Sequence, residues 1–401
     1  MSDWQIEQPC PQCGAPVILE ESDHILSCAF CRTRHVLSTP DHFRYCIPPP
    51  DSVDCELIYI PYWRHRGLSF SVEAAEISSR FFDVNTAASN LKGPPLSLGV
   101  RPQALKLKFY SNTIAGSFLS HTAETDKLHL SEGMTHRVGE VISLVYAPFF
   151  VKSGMLYDAF EKKPIAAFDL SNPDIKNAIT GKEDWKIEFI PTLCPQCGWD
   201  LLGEKDSFVL LCRNCQSAWT SRKQILDSVN FTLISYGETD VAPSMYLPFW
   251  QLKIHVEGAQ LDSYADLIRL ANLPRVPNAA LEEKPMLFWS PAFKVNPALF
   301  IRWCRQMTVF QPEGIESNGL PKETIYPVTL PLEEALDGTI VTLASVMVDK
   351  KKILSVLPNI RVTFQDAKLV YHPFTLVRNE LIHPAMKVSL ESSALKYGIQ
   401  L

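Results

Sequence analysis

Along this chain the apolar residues come in short runs, several of which lead into a proline-centred aromatic pentad. Leu57-Ile58 leads into Tyr59-Ile60-Pro61-Tyr62-Trp63, and Leu144-Val145 into Tyr146-Ala147-Pro148-Phe149-Phe150. The pattern returns as Tyr246-Leu247-Pro248-Phe249-Trp250 and as Tyr371-His372-Pro373-Phe374-Thr375, the latter after Leu369-Val370. Runs of this kind predict four strands. Proline cannot donate to a sheet ladder, so each of these strands is expected at a sheet edge or with a bulge at the proline. The aromatics around the proline read as core plugs, with an exposed edge that recruits a partner's strand as the competing reading.

Elsewhere the pattern is mixed. Residues 78–87, 105–109 and 362–364 look like strands, the second with period two. Residues 263–272, 296–307 and 332–348 look like helices, the second with Asn296 as N-cap and Pro297 in the first turn. The stretch Val100-Arg101-Pro102 aligns with Val295-Asn296-Pro297, so residues 102–110 could equally be helical. Residues 117–137 are polar and read as a long loop.

Cysteine spacing changes this picture most. Cys10-Pro-Gln-Cys13-Gly14 is followed by Cys28-Ala-Phe-Cys31, and Cys194-Pro-Gln-Cys197-Gly198 by Cys212-Arg-Asn-Cys215. All four cysteines are displaced by the same 184 positions, which marks an internal repeat. Two CxxC knuckles can close a tetrahedral all-thiolate shell, the arrangement zinc takes in structural sites. The metal ligands are therefore Cys10, Cys13, Cys28, Cys31, Cys194, Cys197, Cys212 and Cys215, holding two Zn2+ per chain. Gly14 and Gly198 suit the left-handed turn that aims backbone N–H groups at sulfur. Pro16-Val17-Ile18-Leu19 and His24-Ile25-Leu26-Ser27 read as two short strands joined by a polar turn, Glu20 to Asp23.

These knuckles resemble those of the zinc-ribbon and rubredoxin-like superfamily, over roughly 40 residues per copy. The resemblance implies a small β fold around a four-cysteine metal and implies no function. Iron is the rival occupant. Rubredoxin knuckles usually both carry a glycine after the second cysteine, whereas here Arg32 and Gln216 follow Cys31 and Cys215. His35 and Trp219, each four residues after a last cysteine, read as rings packed over the metal sites.

Ribbon, pentad, pentad, repeated, implies two tandem homologous halves fused by duplication. The expected fold class is β-rich α+β. Residues 1–40 form ribbon 1 and 41–187 a β-rich domain; 188–225 form ribbon 2 and 226–401 a second, longer domain. The two ribbons are expected to project from the packed domains, and the extra length of the second half falls at about 310–360.

Composition and charge narrow the function. A net charge of −6, with −3 over residues 2–39 and +1 over residues 192–226, does not favour a phosphate-gripping surface. No signal peptide and no apolar run of about 18 residues is visible, so no membrane span is expected. Eight of eleven cysteines fall in CxxC pairs, which favours metal ligation in a cytoplasmic setting. Cys46, Cys55 and Cys304 read as buried inert thiols. His121, Glu124, Asp126, His129 and His136 crowd one stretch but share no helical face, so a solvated loop is favoured over a metal or acid–base site. Arg64, His65 and Arg66 read as a short basic tip. No nucleotide-binding, metalloprotease or hydrolase motif is present, and no catalytic residue is assigned. The expected function is a zinc-binding, non-enzymatic adaptor or assembly subunit with a protein partner. The alternatives are a nucleic-acid-binding, transcription-related ribbon protein and a rubredoxin-like iron electron carrier or enzyme subunit.

Overall fold

A computed structural model of the chain describes residues 4–51, 53, 55–72, 77–122, 134–180, 183–237, 242–347 and 359–398. Ribbon 1 consists of β1 (Gln5–Pro9), β2 (Pro16–Glu20), β3 (Ile25–Ser27) and β4 (Arg34–Ser38). The first half continues with β5 (Phe43–Cys46), β6 (Leu57–Val72), β7 (Ile77–Ala87), β8 (Lys106–Phe109) and β9 (Ser117–Leu119). It ends with β10 (Met134–Lys152), β11 (Met155–Asp158), β12 (Pro164–Ala167), α1 (Pro173–Ala178) and β13 (Ile179–Thr180). Ribbon 2 contains β14 (Glu188–Pro191), β15 (Val209–Cys212), β16 (Ser217–Arg222) and β17 (Ile225–Ser228). Next come β18 (Phe231–Ser235), β19 (Met245–Glu257), α2 (Tyr264–Leu270), α3 (Ala279–Glu283), β20 (Phe288–Pro291) and α4 (Pro297–Phe310). The chain closes with β21 (Ile315–Ser317), β22 (Thr324–Ile325), α5 (Leu332–Val346), β23 (Arg361–Val377), β24 (Glu380–Ile382), β25 (Ser389–Glu391) and α6 (Ser392–Gly398).

The pentad strands form the spine of each half. β6 pairs antiparallel with β10, and β19 with β23. On the far side of β10 lies parallel β5, then antiparallel β8; on the far side of β23 lies parallel β18, then antiparallel β21. β9 (parallel) and β7 (antiparallel) share the other edge of β6, as β22 and β20 share that of β19. β11 and β12 extend from β10 as β24 and β25 extend from β23. Register matches as well as order. Pro61 stands opposite Tyr146 and Pro148 opposite Tyr59; Pro248 stands opposite Tyr371 and Pro373 opposite Tyr246. Each spine carries one bulge, leaving Glu140 unpaired in β10 and Gln365 in β23, six residues before Tyr146 and Tyr371 respectively.

This corrects the edge-strand expectation. All four prolines lie in central strands, with no bulge at the proline itself. The missing donor is tolerated because each proline sits where one flanking partner stops and the next begins. Along β6, β9 reaches Tyr59 and β7 starts at Tyr62; along β19, β22 reaches Tyr246 and β20 starts at Phe249. The N–H lost at proline thus faces a gap in the ladder. Its carbonyl is still used: Ala88 N–H donates to Pro61, and Ala292 N–H to Pro248. Tyr59, Tyr62, Tyr146, Phe149, Phe249 and Tyr371 are buried, so the pentads build the core and expose no strand edge.

The helices expected at 263–272, 296–307 and 332–348 are α2, α4 and α5. Ser263 and Asp266 form a capping box on α2, and Asn296 Oδ1 accepts from Leu299 N–H at 2.9 Å to cap α4. The aligned Pro102 starts only a four-residue 3-10 turn, Arg101–Ala104, before strand β8. Within the expected polar loop at 117–137, β9 and the start of β10 are strands, while 123–133 lie outside the described residues. Among the described residues the first half has no counterpart of α2, α3 or α5, and α5 supplies much of the second half's extra length. It does not face outward. It packs on β10, and Leu68, Phe70 and Val138 of the first half join the second half's apolar core, with Phe70 stacked 6.1 Å from Phe300.

Candidate metal centres

Each knuckle is a hairpin turn. β1 pairs with β2 around Cys10 and Cys13, and β3 pairs with β4 around Cys28 and Cys31. The runs at 16–19 and 24–27 therefore do not pair with each other, and β1 instead joins the main sheet beside parallel β8. In each copy the four sulfurs lie within 4.8 Å of one another. Cys10–Cys31 and Cys13–Cys28 Sγ separations are 3.7 Å, and Cys194–Cys215 and Cys197–Cys212 are 3.5 Å. A tetrahedral metal with thiolate bonds of about 2.3 Å needs sulfurs about 3.8 Å apart, whereas a disulfide needs about 2.05 Å. The geometry is that of two groups that could each hold a metal ion, and every cysteine is a free thiol. All eight ligands expected from the sequence converge. The exposure pattern is also the same in both: the first and third cysteines are buried, the second is exposed and the fourth lies between.

The surroundings favour thiolate. Thr33 Oγ1 lies 3.0 Å from Cys31 Sγ, and Ser217 Oγ 3.0 Å from Cys215 Sγ. Hydrogen bonds from Thr33 hold Cys31 down to about 6. At Cys194, burial pushes upward, but the N–H groups of Cys197 and Gln196 and the Ser217 hydroxyl bring it down to about 6. At Cys13 the N–H of Ala15 favours thiolate, yet burial and the three neighbouring thiols push it up to about 12. Four sulfurs at this spacing cannot all ionise without a cation among them. Thr33 and Ser217, two residues after each last cysteine, were visible as a repeated hydroxyl but not singled out from sequence. Trp219 acts through that hydroxyl, its Nε1–H donating to Ser217 Oγ at 2.8 Å. His35 does not match it, since its Nδ1 is buried without a hydrogen-bond partner.

Gly14 and Gly198 have φ of 75° and 73°, as the turn requires. Arg32 and Gln216 adopt the same left-handed conformation, at 61° and 57°. The missing second glycine therefore does not alter the knuckle backbone, and it does not separate zinc from iron.

The ribbons do not project; they pack on each other. β14 pairs antiparallel with β4, from Glu188 opposite Ser38 to Pro191 opposite His35. His24 and Ile25 N–H both donate to the Lys205 carbonyl, at 2.7 and 2.9 Å. Cys194 and Cys212 share an apolar cluster with Ile25, Val36, Leu201 and Leu210, while Cys10 and Cys28 belong to the first half's core. Neither metal group stands on a coreless ribbon.

The remaining candidates disperse. Arg64, His65 and Arg66 are buried in β6 and form no exposed tip. Cys46 and Cys304 are buried, and burial pushes Cys304 up to about 12; Cys55, by contrast, is exposed. His121 Nδ1 lies 3.4 Å from a Glu183 carboxylate oxygen, and His136 sits in β10 opposite Phe70. Glu124, Asp126 and His129 fall outside the described residues. Among the described residues no helix is long and apolar enough to cross a membrane. No family model, no curated protein and no solved structure matches this chain.

Proposed function

We propose that this chain is a zinc-binding, non-enzymatic assembly subunit of the cytoplasm, in which two structural metals fasten two duplicated halves into one body that docks a protein partner. The observation that carries this reading is the fused ribbon pair. Cys194 and Cys212 share one apolar cluster with Ile25 and Val36, so a metal in ribbon 2 would stiffen a surface built from both ribbons. A four-thiolate shell leaves no open position for substrate, which fits a structural metal. Duplication is supported by the shared strand order and by the matching bulges at Glu140 and Gln365. Docking is supported by Phe30 and Trp199, large aromatics beside cysteine ligands that are 72% and 61% exposed. Free thiols throughout suit a reducing compartment.

Elemental analysis of protein purified without added metal tests the first step. Two zinc ions per chain are expected, with little iron. Stoichiometric iron with visible absorption would overturn the structural-zinc reading and promote electron transfer. For docking, proteins that co-purify with the wild-type chain from its native cell should be lost with Phe30→Asp or Trp199→Asp while zinc content is unchanged. Retention of the same proteins by both variants would remove the ribbons from the interface.

A further inference from the structure

α2, α4, the end of α5 and the edge of β7 line an open cavity of about 750 Å³. That size lies within the range of roughly 300–1,000 Å³ typical of small-ligand pockets. We infer that it binds a small amphiphilic carboxylate, an aliphatic chain with one anionic end.

Its apolar wall comes from Ile77, Leu273, Ile301, Val309 and Val388. Ile77 belongs to the first half, so the site closes only where the halves meet. Three guanidiniums, those of Arg275, Arg302 and Arg305, line the same cavity, and among the described residues no carboxylate does. Arg302 and Arg305 are spaced i, i+3 on α4 and therefore share a face with Ile301 and Val309. Among the described residues none of the three arginines has an acidic partner. Arg302 Nη2 donates to the Ser389 carbonyl at 2.6 Å, Arg275 Nη1 reaches the Tyr264 hydroxyl at 3.5 Å, and Arg305 makes no hydrogen bond. Arg269 on nearby α2 is different, being paired with both Asp266 and Glu282. Gln306, on the cavity-facing side of α4, has its Oε1 buried without a hydrogen-bond partner, and its amide can turn either edge to a ligand.

An open apolar cleft carrying three exposed guanidiniums, none with an acidic partner among the described residues, is complemented by a ligand that supplies both halves of the match. Inorganic phosphate would satisfy only the arginines, and a neutral hydrocarbon only the wall. The site stands apart from both metal centres and does not depend on the function proposed for them.

Calorimetric titration of the full, metal-replete chain with dodecanoate, below its micelle concentration, tests the inference. Saturable one-to-one binding is expected with a Kd on the order of micromolar. Arg305→Glu should weaken it about tenfold or more, because the guanidinium becomes a like charge. Among the described residues Arg305 makes no hydrogen bond, so the variant's thermal midpoint should match wild type. Arg275→Glu provides an independent second variant. Butanoate should bind far more weakly than dodecanoate, dodecyltrimethylammonium should not bind, and inorganic phosphate should not compete. The inference is overturned if dodecanoate shows no saturable binding. It is equally overturned if Arg305→Glu and Arg275→Glu bind it as well as wild type, if the cationic amphiphile binds equally, or if phosphate displaces the ligand.

Discussion

The guanidinium of Arg64 lies 3.1 Å from the carboxylate of Glu21, and both side chains are sealed from solvent. Arg64 sits in the first central strand just after its pentad, and Glu21 in the turn between β2 and β3. The pair thus clamps ribbon 1 to the main sheet. Arg64 also bonds Asp83 and lies 3.9 Å above the Trp4 ring, while Ser143 Oγ donates to Glu21 at 3.2 Å. Burial pushes the Glu21 carboxyl up, and Arg64 pulls it back. Arg64→Met removes the pull and leaves a buried acid, at an expected cost of about 3–5 kcal/mol in urea unfolding. Glu21→Met together with Arg64→Met should recover a large part of that loss. Strictly additive costs would show that the two residues are not coupled.

Metal loss from ribbon 2 should be felt in ribbon 1. Because Cys194 and Cys212 share a cluster with Ile25 and Val36, Cys212→Ser is expected to release one metal and loosen the β4–β14 pairing. Amide exchange at Val36, Leu37 and Ile190 should accelerate, while β19 and β23 stay protected. Exchange confined to residues 192–226 would show that the ribbons are energetically separate.

The second half holds a buried polar cluster that should make the fold acid-sensitive. Tyr236 Oη lies 3.0 Å from His372 Nδ1 and 3.3 Å from His383 Nε2, and the two imidazoles are 3.3 Å apart. Met386 N–H donates to His383 Nδ1 at 3.2 Å, which places the His383 proton on Nε2. Burial lowers His372, and it brings His383 down to about 4. Both rings are then neutral in the fold, while in the unfolded chain they charge near pH 6.5. Stability is therefore intact above about pH 6.5 and falls as pH drops from there toward about 4, by about 1.4 kcal/mol per unit for each histidine. The difference in unfolding free energy between wild type and His383→Leu, followed from pH 7 to 5, separates this effect from acid release of metal. An unchanged difference across that range would refute it.

The two four-cysteine groups that could hold a metal were legible because cysteines at fixed spacing carry their chemistry in the sequence itself. Strand identity was legible at the pentads for a similar reason: alternation and aromatic bulk are local properties. Strand position was not. Whether Pro61 disrupts a ladder depends on where pairing with β9 stops, at Phe118, and pairing with β7 starts, at Ala87, a fact held by residues up to 57 positions away. The same limit hid Glu21 and Arg64, which read as a polar turn and a basic tip until long-range pairing brought them together. The ribbon contact was equally invisible, since β14 looks like any short apolar strand until it meets β4. The cavity lined by Arg275, Arg302 and Arg305 required three separate elements and a residue of the other half.

The two metal centres should differ in tenacity, although their ligands are matched. In ribbon 2 the Trp219 Nε1–H occupies a lone pair of Ser217 Oγ at 2.8 Å, which turns the hydroxyl proton toward Cys215 Sγ at 3.0 Å. Asn214 adds a side-chain hydrogen bond to Cys197. In ribbon 1, Thr33 makes the equivalent 3.0 Å contact to Cys31 and a longer one of 3.9 Å to Cys10, but among the described residues no ring N–H donates to its hydroxyl, and His35 Nδ1 has no hydrogen-bond partner. Outer hydrogen bonds that fix a ligand typically change metal affinity about 10–100-fold. From the chain loaded with two zinc ions, a chromogenic chelator should therefore strip metal in two phases, with ribbon 1 emptied first. Ser217→Ala should accelerate the slow phase and leave the fast one alone, and Thr33→Val should accelerate the fast phase only. Trp219→Phe keeps the ring but loses its N–H, so it should bring ribbon 2 close to the rate of ribbon 1. Equal single-phase release from the wild-type chain would show that these hydroxyls do not govern how the metals are held.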